Sequence, residues 1–177
     1  MESFRLVTDS GTEYAIRVQE VDEVREDLVR TVIEIDLQTF SESTFSHYTA
    51  AAFLRNGRVF LLFADEIVIG TCVCMRCWER PTEVNILSMG LRPGWRGRGL
   101  GQRFLVGVMD KLQARGLRAV NLMVGEDNPR AIRLYQETGF ERVGSEIGDP
   151  RSGERYIVMR AQFQAPRLTP LPSPERD

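Results

Sequence analysis

The sequence lacks long apolar runs and has few cysteines. Its longest apolar run, 59–64, has six residues, far fewer than the ~20 that cross a bilayer. No secretory signal is visible, because the first ten residues lack a basic segment followed by an apolar one. The three cysteines, Cys72, Cys74 and Cys77, have no evident fourth ligand, which disfavours a zinc site. We therefore expect a cytoplasmic protein with no membrane segment and no metal.

The chain also has little lysine and no surplus of positive charge. The chain has 22 arginines but one lysine, and its formal net charge is −2. Nucleic-acid binders usually carry a clear basic surplus, so we expect no nucleic-acid partner. The lysine, Lys111, lies inside a predicted helix, so the Gly-Lys-Ser/Thr ending of a P-loop is absent. A length of 177 residues is enough for one domain with a full core.

Hydrophobic periodicity predicts alternating strands and helices. The predicted strands are a hairpin of 4–8 and 14–18 around Asp9, and then 59–64, 67–78, 83–91, 119–124, 140–147 and 155–161. The predicted helices are 22–36 with Asp22 as N-cap, 48–54, 100–115 ending at Gly116, and 128–139. Four prolines from residue 166 onward predict a disordered tail, 166–177, after a single domain, 1–165.

A glycine-rich run, Arg96-Gly97-Arg98-Gly99-Leu100-Gly101, lies between a predicted strand and a predicted helix. Glycine accepts positive φ angles and has no Cβ, so successive N–H groups can converge on one anion at the positive end of the helix dipole. We expect the anion to be a cofactor phosphate. The dinucleotide fingerprint fails because Gln102 replaces its third glycine. A glycine-rich helix start with a purely structural role stays open.

Two motifs together resemble the GNAT superfamily of acyl-CoA-dependent N-acetyltransferases. The first is Arg96-x-x-Gly99-x-Gly101, and the second is Asn128-Pro129-x-Ala131-x-x-Leu134-Tyr135-x-x-x-Gly139-Phe140. The segment that contains both motifs is predicted to run strand, loop, helix, strand and helix. The resemblance covers roughly 67–160. It implies an α/β (α+β) GNAT fold, with a mixed, mostly antiparallel sheet of six to seven strands flanked by about four helices.

The resemblance also implies acetyl-CoA as co-substrate, with no metal. Strands 83–91 and 119–124 are expected to splay apart, and Gly90 suits a bulge there. The pantetheine arm would lie in that gap and the pyrophosphate on the N–H groups of the glycine loop. The implied cofactor contacts are Met89, Gly90, Leu91, Arg96, Gly97, Arg98, Gly99, Leu100, Gly101, Gln102 and Asn128.

The resemblance implies Tyr135 as the proton donor to the leaving thiolate, although a core tyrosine would fit the same helix stripe. We predict Glu83 as the base, while a solvated strand carboxylate is the alternative. Relatives similar to histone or ribosomal-protein acetyltransferases have a Glu where this chain has Asn85 or Met123, respectively. The loop near 37–48 could line the acceptor site through Phe40, Glu42, Phe45, His47 and Tyr48, or simply pack on the core.

The sequence therefore predicts transfer of an acetyl group from acetyl-CoA to a primary amine by direct attack. The acceptor would be a small molecule or a peptide N-terminus, selected by 37–48 and the turn at 148–153. Three alternatives stay open: a non-catalytic acyl-CoA-binding module, a Rossmann-type nucleotide binder and an arginine-mediated RNA contact. The oligomeric state, including a homodimer, also stays open.

Overall fold

The computed structural model describes residues 3–8, 10–21, 23–40, 45–144, 147–148 and 155–163. Several predictions fall outside these residues. They are the turn residue Asp9, the N-cap Asp22, the acceptor-loop residue Glu42, positions 149–153 of the last turn, and the tail 166–177.

The described residues form strands and helices in the predicted alternation. The strands are β1 (Phe4–Val7), β2 (Glu13–Glu20), β3 (Arg58–Ala64), β4 (Ile67–Arg76), β5 (Glu83–Leu91), β6 (Ala119–Gly125), β7 (Glu141–Arg142), β8 (Ile147–Gly148) and β9 (Arg155–Gln162). The helices are α1 (Glu26–Thr39), α2 (His47–Asn56), α3 (Leu100–Ala114) and α4 (Pro129–Glu137), with a 3₁₀ turn at Pro93–Trp95. None of these described helices is both long and apolar enough to cross a membrane.

The strands form one mixed sheet in the order β1-β2-β3-β4-β5-β6-β9-β7, with β8 also paired to β9. Neighbours are antiparallel except β5 and β6, which are parallel. Seven of the described strands have four or more residues, matching the expected six to seven. The predicted strand 140–147 is wrong in detail, because two two-residue strands, β7 and β8, replace it.

Two hydrophobic clusters pack on opposite faces of the sheet. The larger one joins α3 to the sheet through Leu100, Phe104 and Val108, and half-buried side chains of α4 pack against it. The smaller one joins α1 and α2 to β3 and β4, with Val32, Leu54 and Val73 among its members. Helix α1 therefore covers one face near β5, while α3 and α4 cover the other.

Helix α1 differs from its prediction at both ends. It begins at Glu26 and runs to Thr39, three residues further than the predicted end at 36. The extra turn brings Thr39 onto β5, where its side chain lies against Gly90. One turn earlier, Asp36 Oδ1 accepts a hydrogen bond from Ser88 Oγ of the same strand at 2.9 Å. Buried polar contacts of this kind fix one packing arrangement. The C-terminal end of α1 is thereby anchored over the end of β5.

Candidate active site

Strands β5 and β6 pair along only part of their length. The parallel pairing joins Glu83–Ile86 to Ala119–Leu122, and beyond it no pairing between the two strands is found in the described residues. A cavity of about 600 Å³ lies in this fork. Its lining comes from β5, β6, the glycine loop, α4 and the end of α1. The expected splaying of the two strands is therefore confirmed.

The glycine loop closes one end of the cavity. Gly97 and Gly99 have φ of +80° and +71°, and a Cβ on either would meet no atom within 4 Å. Gly99 is the N-cap of α3, and the first hydrogen bond of that helix runs from Arg103 N–H to Gly99 O, at 3.3 Å. The N–H groups of Leu100, Gly101 and Gln102 precede this bond, so the helix offers them no acceptor. The open space and these donors fit a phosphate.

Two predicted cofactor contacts, Arg98 and Leu100, lie outside the cavity lining. The Leu100 side chain is buried in the core, so that residue could reach a phosphate only through its N–H group. Arg96 does line the cavity, but its guanidinium is engaged: Nε donates to Leu91 O at 2.9 Å, and Nη2 donates to Gln38 O. Its side chain therefore ties the loop to β5 and α1. The remaining predicted contacts all line the cavity: Met89, Gly90, Leu91, Gly97, Gly99, Gly101, Gln102 and Asn128.

The bulge in β5 lies at Leu87, so its expected position at Gly90 is wrong. Val73 pairs with Ser88 and Cys74 with Ile86, which leaves Leu87 as the extra residue. Gly90 stays in register, but a Cβ there would collide with the Thr39 hydroxyl. Close approach of α1, rather than a bulge, therefore requires glycine at this position.

Tyr135 lies in α4 and lines the cavity. Its ring packs against Phe140 with 5.6 Å between centroids, so it also contributes to the core. Burial, with a smaller effect from Cys72, raises the pKa of Tyr135 to about 12. The hydroxyl therefore stays protonated at neutral pH and can serve as a proton donor. Asn128 caps the same helix, because its Oδ1 accepts from Ala131 N–H at 3.0 Å.

Comparison with known proteins agrees with this geometry. The model of the acetyltransferase (GNAT) family matches residues 21–140. The chain belongs to the GNAT family. It is 42% identical over 102 residues to the N-alpha-acetyltransferase RimI of Mycobacterium tuberculosis, covering 58% of this chain and 56% of that protein. It is 28% identical over 120 residues to the mycothiol acetyltransferase of Rhodococcus jostii, covering 64% of this chain and 39% of that protein.

The chain spans less than two thirds of the length of these curated relatives. Solved structures share its GNAT fold at low sequence identity. The ribosomal-protein-S18-alanine N-acetyltransferase of Escherichia coli superposes with a TM-score of 0.73 at 18% identity, covering 87% of this chain and 97% of that one. A structure of the NatC complex bound to Gag peptide and CoA gives a TM-score of 0.71 at 18% identity, covering 84% and 99%.

Glu83, the predicted base, lies at the paired end of the GNAT fork and not in the cavity lining. It is 7% exposed and accepts hydrogen bonds from Arg160 Nη2 at 2.8 Å and Asn121 Nδ2 at 3.0 Å, with Arg80 Nε 3.3 Å away. Burial acts to raise the pKa of Glu83, but these partners outweigh it and lower the pKa. This placement does not support Glu83 as the base, because Glu83 does not line the cavity. Strand alternation predicts on which face of the sheet Glu83 lies, but it does not predict how far Glu83 is from the cavity.

Replacing Glu83 by Gln is expected to destabilise the fold without lowering kcat. Loss of the carboxylate charge weakens the ion pair with Arg160, which should lower the free energy of unfolding by about 1–3 kcal/mol. Because the pKa of Glu83 is lowered from 4.5, this stabilisation is present above pH 4.5 and is lost as the pH falls through the folded-state pKa. Urea unfolding at pH 7 and pH 3 checks this, with the exposed Glu79→Gln on the same hairpin as control. A large loss of kcat would return Glu83 to the mechanism.

Of the residues in 37–48 predicted to line the acceptor site, the described ones lie in different places. Phe40 lines the cavity. Phe45 instead packs in the core against Phe53, with 5.3 Å between ring centroids. His47 is exposed and its Nε2 lies 3.2 Å from both Glu26 carboxylate oxygens, while Tyr48 is also exposed, and neither lines the cavity. The cysteines lie in or beside β4, and no group of metal-binding side chains is found among the described residues.

Several cavity residues were missed by sequence reasoning. Among them are Thr39, Leu87, Arg130, Arg133, Glu137 and Tyr156. The α4 members Arg130, Arg133 and Glu137 recur at helical spacing with one another, so the sequence could have grouped them on one face of that helix. Leu87 depends on a bulge and Tyr156 on pairing with Gly125, and neither leaves a signal in the local sequence. Met123, noted only as a departure from relatives, also lines the cavity.

Proposed function

We propose that this GNAT protein transfers the acetyl group of acetyl-CoA to the α-amine of a peptide. The observation that carries the proposal is the fork between β5 and β6, with the glycine loop at one end and Tyr135 beside it. The relative named N-alpha-acetyltransferase and the neighbour bound to a peptide and CoA support it. A cytoplasmic location is part of the same proposal.

The residues of the cavity have separable tasks in this reaction. N–H groups from Gly97 to Gln102 bind the pyrophosphate, and backbone groups of Met89 and Leu91 bind the pantetheine amides. Acetyl-CoA supplies an acyl group activated as a thioester. The amine nitrogen bonds to the carbonyl carbon as the carbon–sulfur bond breaks. Tyr135 donates its hydroxyl proton to the leaving sulfur, the attacking nitrogen loses a proton to water, and water returns a proton to the Tyr135 oxygen.

The charge of the cavity favours an amine that is easily deprotonated. Of the described lining residues, Glu137 alone carries a carboxylate. Neutralising a lysine-like amine of pKa about 10.4 at pH 7 costs about 4.6 kcal/mol, whereas an α-amine of pKa near 8 costs about 1.4 kcal/mol. The α-amine can lose its proton through a water relay, so an α-amine suits this cavity better than a lysine side chain.

The test is acetyl-CoA turnover, read as free thiol, with three groups of acceptors. We expect thiol release with free-amine peptides, and none with the same peptides acetylated at the N-terminus but carrying a lysine. Small-molecule amines form the third group, because one relative is named mycothiol acetyltransferase. Tight CoA binding with only slow hydrolysis would favour a non-catalytic module. Thermal stabilisation by NAD but not by CoA would favour a Rossmann-type binder.

A further inference from the structure

Three large apolar side chains that line the cavity are unusually exposed. Phe40 is 37% exposed, Leu87 is 40% exposed and Met123 is 59% exposed. They come from the end of α1, the bulge of β5 and the open part of β6. We call Phe40, Leu87 and Met123 the apolar wall. Apolar side chains left open around a reactive cavity commonly mark a binding surface.

The positions of these residues relative to the fork are defined by the sheet. The last paired residues of the two parallel strands are Ile86 and Leu122. Leu87 and Met123 are therefore the first residues beyond the point where the strands part, one on each strand. The wall thus begins at the narrow end of the fork.

The apolar wall and Tyr135 belong to different sides of the sheet. Leu122 and Val124 pack in the larger hydrophobic cluster, on the face that α3 covers, so Met123 between them points to the face that α1 covers. Phe40 follows Thr39, which contacts Gly90 on that same face. Tyr135 instead packs against the larger hydrophobic cluster, on the face that α3 covers. The cavity therefore has a proton donor on one side and an apolar surface on the other, which leaves the second side for the acceptor.

The apolar wall has no charge, and this limits which side chains can bind against it. None of its three residues carries a charge or a hydrogen-bonding side chain. A charged acceptor side chain lying there would lose hydration without gaining a partner, whereas an apolar one would release water from both surfaces. The substituent nearest the reacting amine should therefore be apolar.

We propose that the acceptor is a peptide whose first residue has a large apolar side chain, which packs on Phe40, Leu87 and Met123. This inference rests on the proposed function, since it concerns the acceptor of that reaction. It makes Leu87 and Met123 specificity-determining residues.

The experiment compares peptides that differ only in the first residue, which is Leu, Met, Ala, Asp or Lys. We expect kcat/KM for the Leu and Met peptides to exceed that for the Asp peptide at least about tenfold, the scale of discrimination by an apolar pocket. Met123→Asp should reverse the order of the Leu and Lys peptides, because its carboxylate attracts the lysine ammonium and removes apolar contact with the leucine side chain. Leu87→Ala should lower kcat/KM for Leu far more than for Ala.

Ile67→Asp serves as the control for the Met123 substitution. Ile67 is 55% exposed at the start of β4 and does not line the cavity, so the Leu-to-Lys ratio should not change. The ratio within one variant is independent of how much protein is folded. Acetylation of all five peptides at similar rates would overturn this inference and leave the proposed function standing. Absence of thiol release with every free-amine peptide would overturn both.

Discussion

Replacing Gly99 by Asp should raise the Kd for CoA more than 100-fold. The new side chain would enter the open space beside the loop N–H groups and place a negative charge where we propose a phosphate binds. Charge-assisted hydrogen bonds contribute about 1.5–3 kcal/mol each, so losing two exceeds the ~2.7 kcal/mol of a 100-fold change. Isothermal titration calorimetry with CoA at up to millimolar concentration measures the effect.

Gly116→Asp is the matched control for this substitution. Gly116 has φ of +79° and, like Gly99, open space where a Cβ would be. The two variants therefore share the cost of a positive φ and the added charge. Gly116 lies beyond the other end of α3, a helix of 15 residues that is about 22 Å long. Equal weakening of CoA binding by both variants would mean that general destabilisation, rather than phosphate contact, explains the Gly99 result.

The second large effect is expected for Tyr135→Phe, which should lower kcat about 10²–10³-fold while leaving the Kd for CoA nearly unchanged. The variant keeps the ring packed against Phe140 but removes the proton for the leaving thiolate. Steady-state kinetics with saturating peptide, together with calorimetry of CoA binding, separates the two quantities. An unchanged kcat would remove Tyr135 from the mechanism.

The pH dependence adds an independent check on Tyr135. Because its pKa is raised to about 12, the hydroxyl remains a donor as the pH rises from 7 to 9, and the rate should rise as the amine deprotonates. The Phe variant should show the same rise at a lower level. Tyr14→Phe is a control, since Tyr14 packs edge-on against Trp95, 4.9 Å between centroids, and does not line the cavity. A decline in wild-type rate between pH 7 and 9 would contradict a donor of this pKa.

The parts of the site built from local sequence could be predicted. The glycine loop and the Asn128-Pro129 helix start depend on φ preferences and capping within a few residues, and the structure has α3 and α4 where these signals place them. The parting of β5 and β6 followed from the resemblance that the two motifs carry together.

Contacts between distant residues could not be predicted in the same way. Glu83 meets Arg160, 77 positions later, so its ion pair has no local signal. Gly90 is required by Thr39, 51 positions earlier, and not by a bulge of its own strand. Even the identity of the bulged residue, Leu87, depends on the register with β4. Alternation assigns a strand residue to a face, but tertiary pairing decides what it meets.

The short pairing of β5 with β6 has one more consequence, for self-association. Unpaired strand edges are templates for unwanted β-addition, and proteins usually protect them. In this chain, the unpaired edges of β5 and β6 beyond Ile86 and Leu122 face each other in the middle of the sheet. On its other edge, β5 pairs with β4, and β6 pairs with β9. A strand from another molecule needs an accessible edge strand to pair with, whereas a narrow ligand with amide groups can enter between β5 and β6. The same geometry that admits such a ligand thus guards against aggregation.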